Sequence, residues 1–268
     1  MTWTITWENK RLPRMKMPVL IEGLPGIGNV GKIVADFLAA ELKAKPLASF
    51  FSPTLPHSVF VTEDNLIKLP SIEAVWIPSS VLKNGHDLIL ILGDVQPVDE
   101  VASYGLTDAI LDLCEKCGVE EIITLGGIGL PIAPKKPKVY CTGNDPVHVA
   151  SFVKGTSLKT GLYGLVGPII GITGLLLALA TKRAIKAVAL LGETAAHPMY
   201  LGIKASGEML KTLKKKFGLS LSLTQMEKEI RAVERELMKR TDDLQQISKS
   251  TALKRLKGKL STDVDYIG

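Results

Sequence analysis

Cysteine is scarce, with three in 268 residues. That excludes a disulfide scaffold and fits a reducing compartment, so a cytoplasmic location is expected. Asparagine (five) and glutamine (four) are also few, which leans towards a heat-adapted source. The start of the chain has no apolar run. Glu8, Lys10, Arg11, Arg14 and Lys16 fall within 1–18, and no secretory signal peptide is expected. The 24 glycines and 15 prolines follow no three-residue period, which excludes a collagen-like chain. Disorder is excluded in turn by a hydrophobic content of 46%. The longest stretch without charge lies between Lys159 and Lys182. It is long enough to cross a bilayer. However, Gly161, Gly164, Gly167, Gly171 and Gly174 interrupt it, and Gly167-Pro168 breaks a helix there. It reads as a glycine-rich loop and a short buried helix over 168–181, and no membrane span is expected.

The formal net charge of +6 is unevenly placed. From Lys204 onward there are 15 Lys and Arg against nine Asp and Glu, and the residues before it hold 18 of each sign. The basic excess thus belongs to a C-terminal appendage rather than to a globally basic surface. Acids are interleaved through that segment and no aromatic platform accompanies it. Nucleic acid is therefore not expected as a partner.

Strand and helix signals alternate up to about residue 218. Strands are predicted over 18–22, 47–51, 58–62, 74–77, 87–92, 121–125, 138–142 and 187–191. Helices are predicted over 29–42, 98–116, 168–181 and 200–217. Leu88 to Leu92 is apolar throughout, as a central strand covered on both faces must be. Glu63-Asp64-Asn65 reads as the turn of a hairpin around Phe60 and Ile67. The pattern predicts a three-layer α/β domain with a mixed sheet over 1–218.

A helical extension is predicted over 219–260 and a flexible tail over 261–268. Ser222 and Gln225 make a capping box. Leu223, Met226, Ile230, Val233, Leu237, Leu244 and Ile247 then repeat at intervals of three and four, broken only at Arg240. Such a seam suits packing on another helix, in a hairpin or between subunits, and homo-oligomers are expected. A helix folded back on its own domain is the alternative.

The most prominent motif is Gly23-Leu-Pro-Gly-Ile-Gly-Asn-Val-Gly-Lys32, between the strand at 18–22 and a helix. Gly26, Gly28 and Gly31 have dinucleotide-fingerprint spacing, but the next strand ends in Ser52-Pro53-Thr54 with no ribose-binding acid. Read as a P-loop, Gly26, Gly31 and Lys32 fit. Ile33 then stands where a magnesium-binding hydroxyl is needed, with Asp94 the remaining candidate metal partner. Sharp turning and close helix–sheet packing explain the glycines equally well. Gly26, Gly28, Asn29, Gly31 and Lys32 stay candidates for an anion or ligand loop.

Cys114 and Cys117 have CxxC spacing at the end of a predicted helix, where no helix N-terminus stabilises a thiolate. Packing explains them better than redox or zinc chemistry, and Cys141 and four histidines do not complete a metal site. Glu193 and His197, in a predicted loop after the strand at 187–191, occupy a place where α/β enzymes put catalysts. Lys83-Asn84-Gly85-His86 reads as a turn. No nucleophile motif, triad or ligand cluster accompanies them, so no catalytic residue, metal or cofactor is assigned.

Leu20-Ile-Glu-Gly-Leu-Pro-Gly-Ile-Gly-Asn-Val-Gly31 resembles the opening signature of the proteasome assembly chaperone family of the second type. The strand at 88–94, Gly126-Gly127-Ile128-Gly129 as a turn, the glycine-rich 161–174, Leu191-Gly192-Glu193-Thr194 and Ala205-Ser206 fall in matching order. The resemblance covers about 15–217 and looks like an archaeal member with a helical extension. It implies a fold related to nucleoside phosphorylases without an established active site, oligomers, and a scaffold or chaperone role towards the core proteasome ring. It also implies docking through a C-terminal tail. Here Tyr266 is third from the end instead of second, and Tyr266, Ile267 and the carboxylate of Gly268 are the candidates. The competing reading is a nucleotide- or phosphate-binding enzyme using the Gly26 to Gly31 loop.

Overall fold

The computed structural model describes residues 3–221, except 63, 83, 84, 163, 165, 166, 198 and 199. The seam residues Met226, Ile230, Val233, Leu237 and Leu244 and the tail residues Tyr266, Ile267 and Gly268 lie outside the described residues, as do Lys83 and Asn84 of the Lys83-Asn84-Gly85-His86 turn.

In chain order the elements begin β1 (Thr4–Trp7), β2 (Val19–Glu22), α1 (Val30–Glu41), β3 (Lys45–Phe51), β4 (Phe60–Val61), β5 (Ile67–Lys68), β6 (Ile72–Ile77) and β7 (Leu88–Gly93). They continue with α2 (Glu100–Cys117), β8 (Glu121–Leu130), β9 (Val139–Gly143), α3 (Pro146–Val153), α4 (Ile172–Ala180), β10 (Lys186–Ala195) and α5 (Ile203–Phe217). Eight strands form one sheet in the order β1-β3-β6-β7-β2-β8-β10-β9, and β4 pairs with β5 apart from it. Strands β7, β2, β8 and β10 run parallel. The flanking pairs are antiparallel. This is the mixed-sheet α/β fold that the sequence predicts.

Helices cover both faces, which is why the central strands can be apolar at successive positions. On one face Leu20, Ile89, Ile91, Ile122 and Ala189 join Leu106, Ile110 and Leu113 of α2 and Leu176 of α4 in one core. On the other, α1 packs with α5 and with β8, burying Val34, Leu38, Met209 and Leu213. Beyond α5, Leu219 and Leu221 are still buried, and the Lys214 amine donates to the Leu221 carbonyl.

The structure corrects three expectations. Helix α4 starts at Ile172, not Pro168, because its N-cap Gly171 sits at φ 85, a conformation closed to most residues and incompatible with a helix running through it. Helix α4 is nine residues long, and among the described residues no helix is long and apolar enough to cross a membrane. Gly126 to Gly129 is no turn but lies inside β8, and Glu193 and Thr194 are no loop but lie inside β10, the two strands pairing to Leu130 and Ala195. Two elements were not anticipated. Strand β1 is anchored by the Trp3 indole N–H to the Ala102 carbonyl at 3.0 Å and by Lys116 over the Trp7 ring. Helix α3 is capped by Asp145, whose carboxylate accepts from the His148 N–H, with Pro146 in its first turn.

Candidate functional site

Connections from neighbouring strands diverge at β2. Its neighbours are β7, reached after α1 and the antiparallel strands, and β8, reached from β7 through α2. Such a switch point leaves a crevice beyond the carboxyl ends of the strands. Here β2 stops at Glu22, paired with Thr124, while β8 and β10 continue side by side for six more residues. The space beyond β2 is a cavity of about 580 Å³. Its walls come from the loop after β2 (Gly26, Ile27), the loop after β7 (Gln96), the end of β8, and the loop leading into α4.

Gln96, which sequence reasoning missed, holds two of these walls together. Its side-chain amide donates to the Pro25 carbonyl, and its Oε1 accepts from the Ile172 N–H at 3.2 Å. Gly171 is confined both by its φ and by Gln96, whose Oε1 would lie 2.8 Å from an added Cβ.

The glycine-rich loop divides by role. A Cβ on Gly23 would stand 2.4 Å from that of Ala35, and one on Gly31 would stand 2.4 Å from the Leu125 carbonyl oxygen. Those two glycines let α1 lie directly on the sheet. Gly28 (φ 62) sits over Thr194, and Asn29 is also left-handed (φ 50), the pair turning the chain into α1. Lys32 turns to the Gly93 carbonyl at 2.9 Å and to Asp36 at 3.0 Å. It lines a separate hollow of about 180 Å³ with Asp94 and Lys68, not the main cavity. Asp94 accepts from both the N–H and hydroxyl of Ser71; these bonds and the nearby lysines hold its carboxyl below the usual range against the opposing effect of burial. Only Gly26 needs neither its φ nor its size: the nearest atom to an added Cβ is 3.9 Å away.

Beneath the cavity lies Glu22, with no solvent exposure. Burial pushes its carboxyl from 4.5 up to about 7, against the opposing pull of hydrogen bonds from the Leu24 N–H, Thr173 and the Leu125 N–H. Its Oε1 accepts from Leu24 at 2.9 Å, and Thr173 Oγ1, whose residue lines the cavity, bonds Oε2 at 3.1 Å. The sequence showed Glu22 at a strand end. Its burial could be read only from α4 folding over it, 151 residues away.

The other candidates are tied into the fold. Glu193 accepts from the Lys138 N–H at 2.8 Å and from the Tyr140 hydroxyl at 3.2 Å, fixing β9 to β10. These bonds explain its place in the strand and take up both carboxylate oxygens. Burial raises all three thiols, Cys117 to about 11 and Cys141 to about 12, with Cys114 higher still. Thiols held protonated are poor nucleophiles and metal ligands. Among the described residues no group of three His, Cys, Asp or Glu is placed to hold a metal ion.

A second feature is on the surface. The β4–β5 hairpin, which the turn reading anticipated, exposes Val59, Phe60, Val61, Leu66, Ile67 and Leu69, Ile67 to 75%. Six exposed apolar side chains so close together form the kind of patch that marks an interaction surface.

Comparison with known proteins agrees with this architecture. PbaB of Pyrococcus furiosus, an archaeal proteasome activator, superposes with a TM-score of 0.77 at 30% identity, over 89% of this chain and 98% of that one. PbaA of the same organism, an archaeal homologue of proteasome-assembly chaperone, gives 0.72 at 22% identity over 96% and 99% of the two chains, a likeness of fold. An uncharacterised protein of Methanocaldococcus jannaschii is 28% identical over 231 residues, which are 86% of this chain and 85% of that one. The PAC2 family profile matches residues 20–241, and the chain belongs to the PAC2 family.

Proposed function

We propose that this protein is a non-enzymatic, cytoplasmic partner of the core proteasome, acting as a homo-oligomer that contacts the proteasome ring in its assembly or activation. The observation that carries the reading is the match to PbaB, a proteasome activator, at 30% identity over 98% of that chain. The exposed apolar hairpin supports a role through protein contacts. The phosphate-binding alternative gains no support from Lys32, which is engaged by Gly93 and Asp36. In the proposed division of labour, 1–218 is the α/β chaperone-type domain, 219–260 a helical extension with its seam at Met226, Ile230, Val233, Leu237 and Leu244, and 261–268 a docking tail.

The test is co-sedimentation of the full chain with core proteasome particles, beside a variant lacking Tyr266, Ile267 and Gly268. The tail reading expects the intact chain to bind and the truncated one to bind at least tenfold more weakly, with melting temperature and oligomer size unchanged. Equal binding by both would move the contact to the domain surface. Absence of binding by the intact chain, together with stabilisation by a nucleotide, would replace the proteasome reading with the enzymatic one.

A further inference from the structure

We propose that the cavity beyond β2 is a binding site for a small, uncharged, mainly aliphatic molecule carrying a hydroxyl or similar polar end. This goes beyond the proteasome reading and does not depend on it.

Size is the first argument: about 580 Å³ falls within the roughly 300–1,000 Å³ of small-molecule sites. It also lies at the strand ends where the topology of an open α/β sheet places ligands. Chemistry is the second. Among the described residues no Asp, Glu, Lys, Arg or His contributes to the walls, whose side chains are aliphatic (Ile27, Ile128, Ile169, Ile170 among them) except for Gln96 and Thr173. An anion would enter without a cation among the described wall residues to meet it, and the Glu22 carboxyl lies just behind Thr173. A cation would meet no exposed carboxylate, and Glu22 itself is held towards its neutral form by burial. Desolvating either charge without a partner is prohibitive, whereas an uncharged chain gains from leaving water.

Gln96 uses one amide N–H on Pro25 and one Oε1 lone pair on Ile172, so its second N–H and Thr173 are the polar side-chain groups that the described walls offer a ligand. The Thr173 hydroxyl, bonded to Glu22, keeps a lone pair able to accept from a ligand hydroxyl. The main-chain edge of β8 past Thr124, which has no β2 strand beside it, offers further polar groups.

Two glycines supply the third argument. Gly26 and Gly167 line the cavity, neither lies at positive φ, and a Cβ on either would meet nothing closer than 3.9 Å. Packing accounts for Gly23 and Gly31 but not for these two. Their lack of side chains keeps the cavity open.

The probe is 1-hexanol, compared at pH 6 with hexanoate, hexylammonium and inorganic phosphate. Each is titrated into the full chain with isoleucine methyl groups observed by NMR. The expected result is saturable shifts at Ile27, Ile128 and Ile169 with 1-hexanol, and at least tenfold weaker binding of the three ions. Gly26→Leu, which fills the opening, should weaken 1-hexanol at least tenfold while its unliganded spectrum stays folded. Gly167→Leu serves in its place if that variant does not fold. Absence of saturable shifts at these methyls, equal or tighter binding of any ion, or unchanged 1-hexanol affinity in the folded filled variant would overturn the proposal.

Discussion

A carboxyl that loses all its water on folding makes stability depend on pH, and Glu22 is such a group. Below pH 4.5 it is protonated in both the folded and the unfolded chain, so the fold carries no penalty from it. As pH rises through 4.5 the unfolded chain releases the proton, while the folded chain keeps it to about 7. Stability therefore falls across this window, by about 3 kcal/mol for a shift of this size, and levels off above it. Glu22→Gln should lack that fall. Denaturant unfolding at pH 5 and pH 8, an interval that holds most of the fall, should show a difference between the two pH values that is about 2.5 kcal/mol smaller in the variant than in the parent. Equal pH dependence would mean that the carboxylate finds water or a cation that the fold hides. Sequence alone placed Glu22 inside the matching signature without marking it, because nothing local distinguishes a strand-end glutamate that reaches solvent from one sealed by α4. Cys114 shows the opposite case, since its place before a left-handed Gly118 at a helix end already argued for packing.

Glycine in a strand reads like a turn when its neighbours in space are unknown. Gly126, Gly127 and Gly129 looked like a loop because nothing in 121–130 shows that Ile27 presses on this stretch. Yet a Cβ on Gly127 would stand 2.2 Å from the Ile27 carbonyl oxygen. The apolar strands β2 and β7 and the helices α1, α2 and α5 were legible to within a few residues, since burial on both faces and a 3.6-residue period leave local signals. Strand β1 and helix α3 were not. The first is four residues of half-exposed edge, the second an eight-residue helix burying only Phe152. The same packing logic predicts unequal tolerance within the glycine-rich loop. Gly31→Ala drives a methyl into the Leu125 carbonyl and should cost about 1–3 kcal/mol, as overpacking does. Gly26→Ala, with open space beyond it, should change stability by about 0.5 kcal/mol or less. Thermal unfolding of the two variants decides this, and equal tolerance would mean that the loop is not held as tightly against β8 as the contacts require.

At the scale of the molecule, the parallel core β7-β2-β8-β10 builds a cavity beyond the carboxyl end of β2, while the β4–β5 hairpin stands outside the sheet altogether. A two-stranded ribbon is marginal in water by itself. This one also exposes Val61 to 70% and Ile67 to 75%. Burying side chains of that kind is worth about 1.5–3 kcal/mol each, so a cover for the hairpin would be strongly favoured. In the homo-oligomer proposed above, a second copy is the cover expected. Val61→Lys with Ile67→Glu should then lower the assembly state in light scattering, with a melting temperature of the separated chain close to the parent's. Charges at Ile230 and Leu237, in the extension, test the seam by the same measurement and separate the two contacts. If only the seam variant dissociates, the hairpin is left for the proteasome ring, and its charged variant should then lose co-sedimentation while keeping its oligomer. If the hairpin variant keeps both its oligomer and its proteasome binding, the exposed ribbon plays no part in either contact, and the proposal for the hairpin fails.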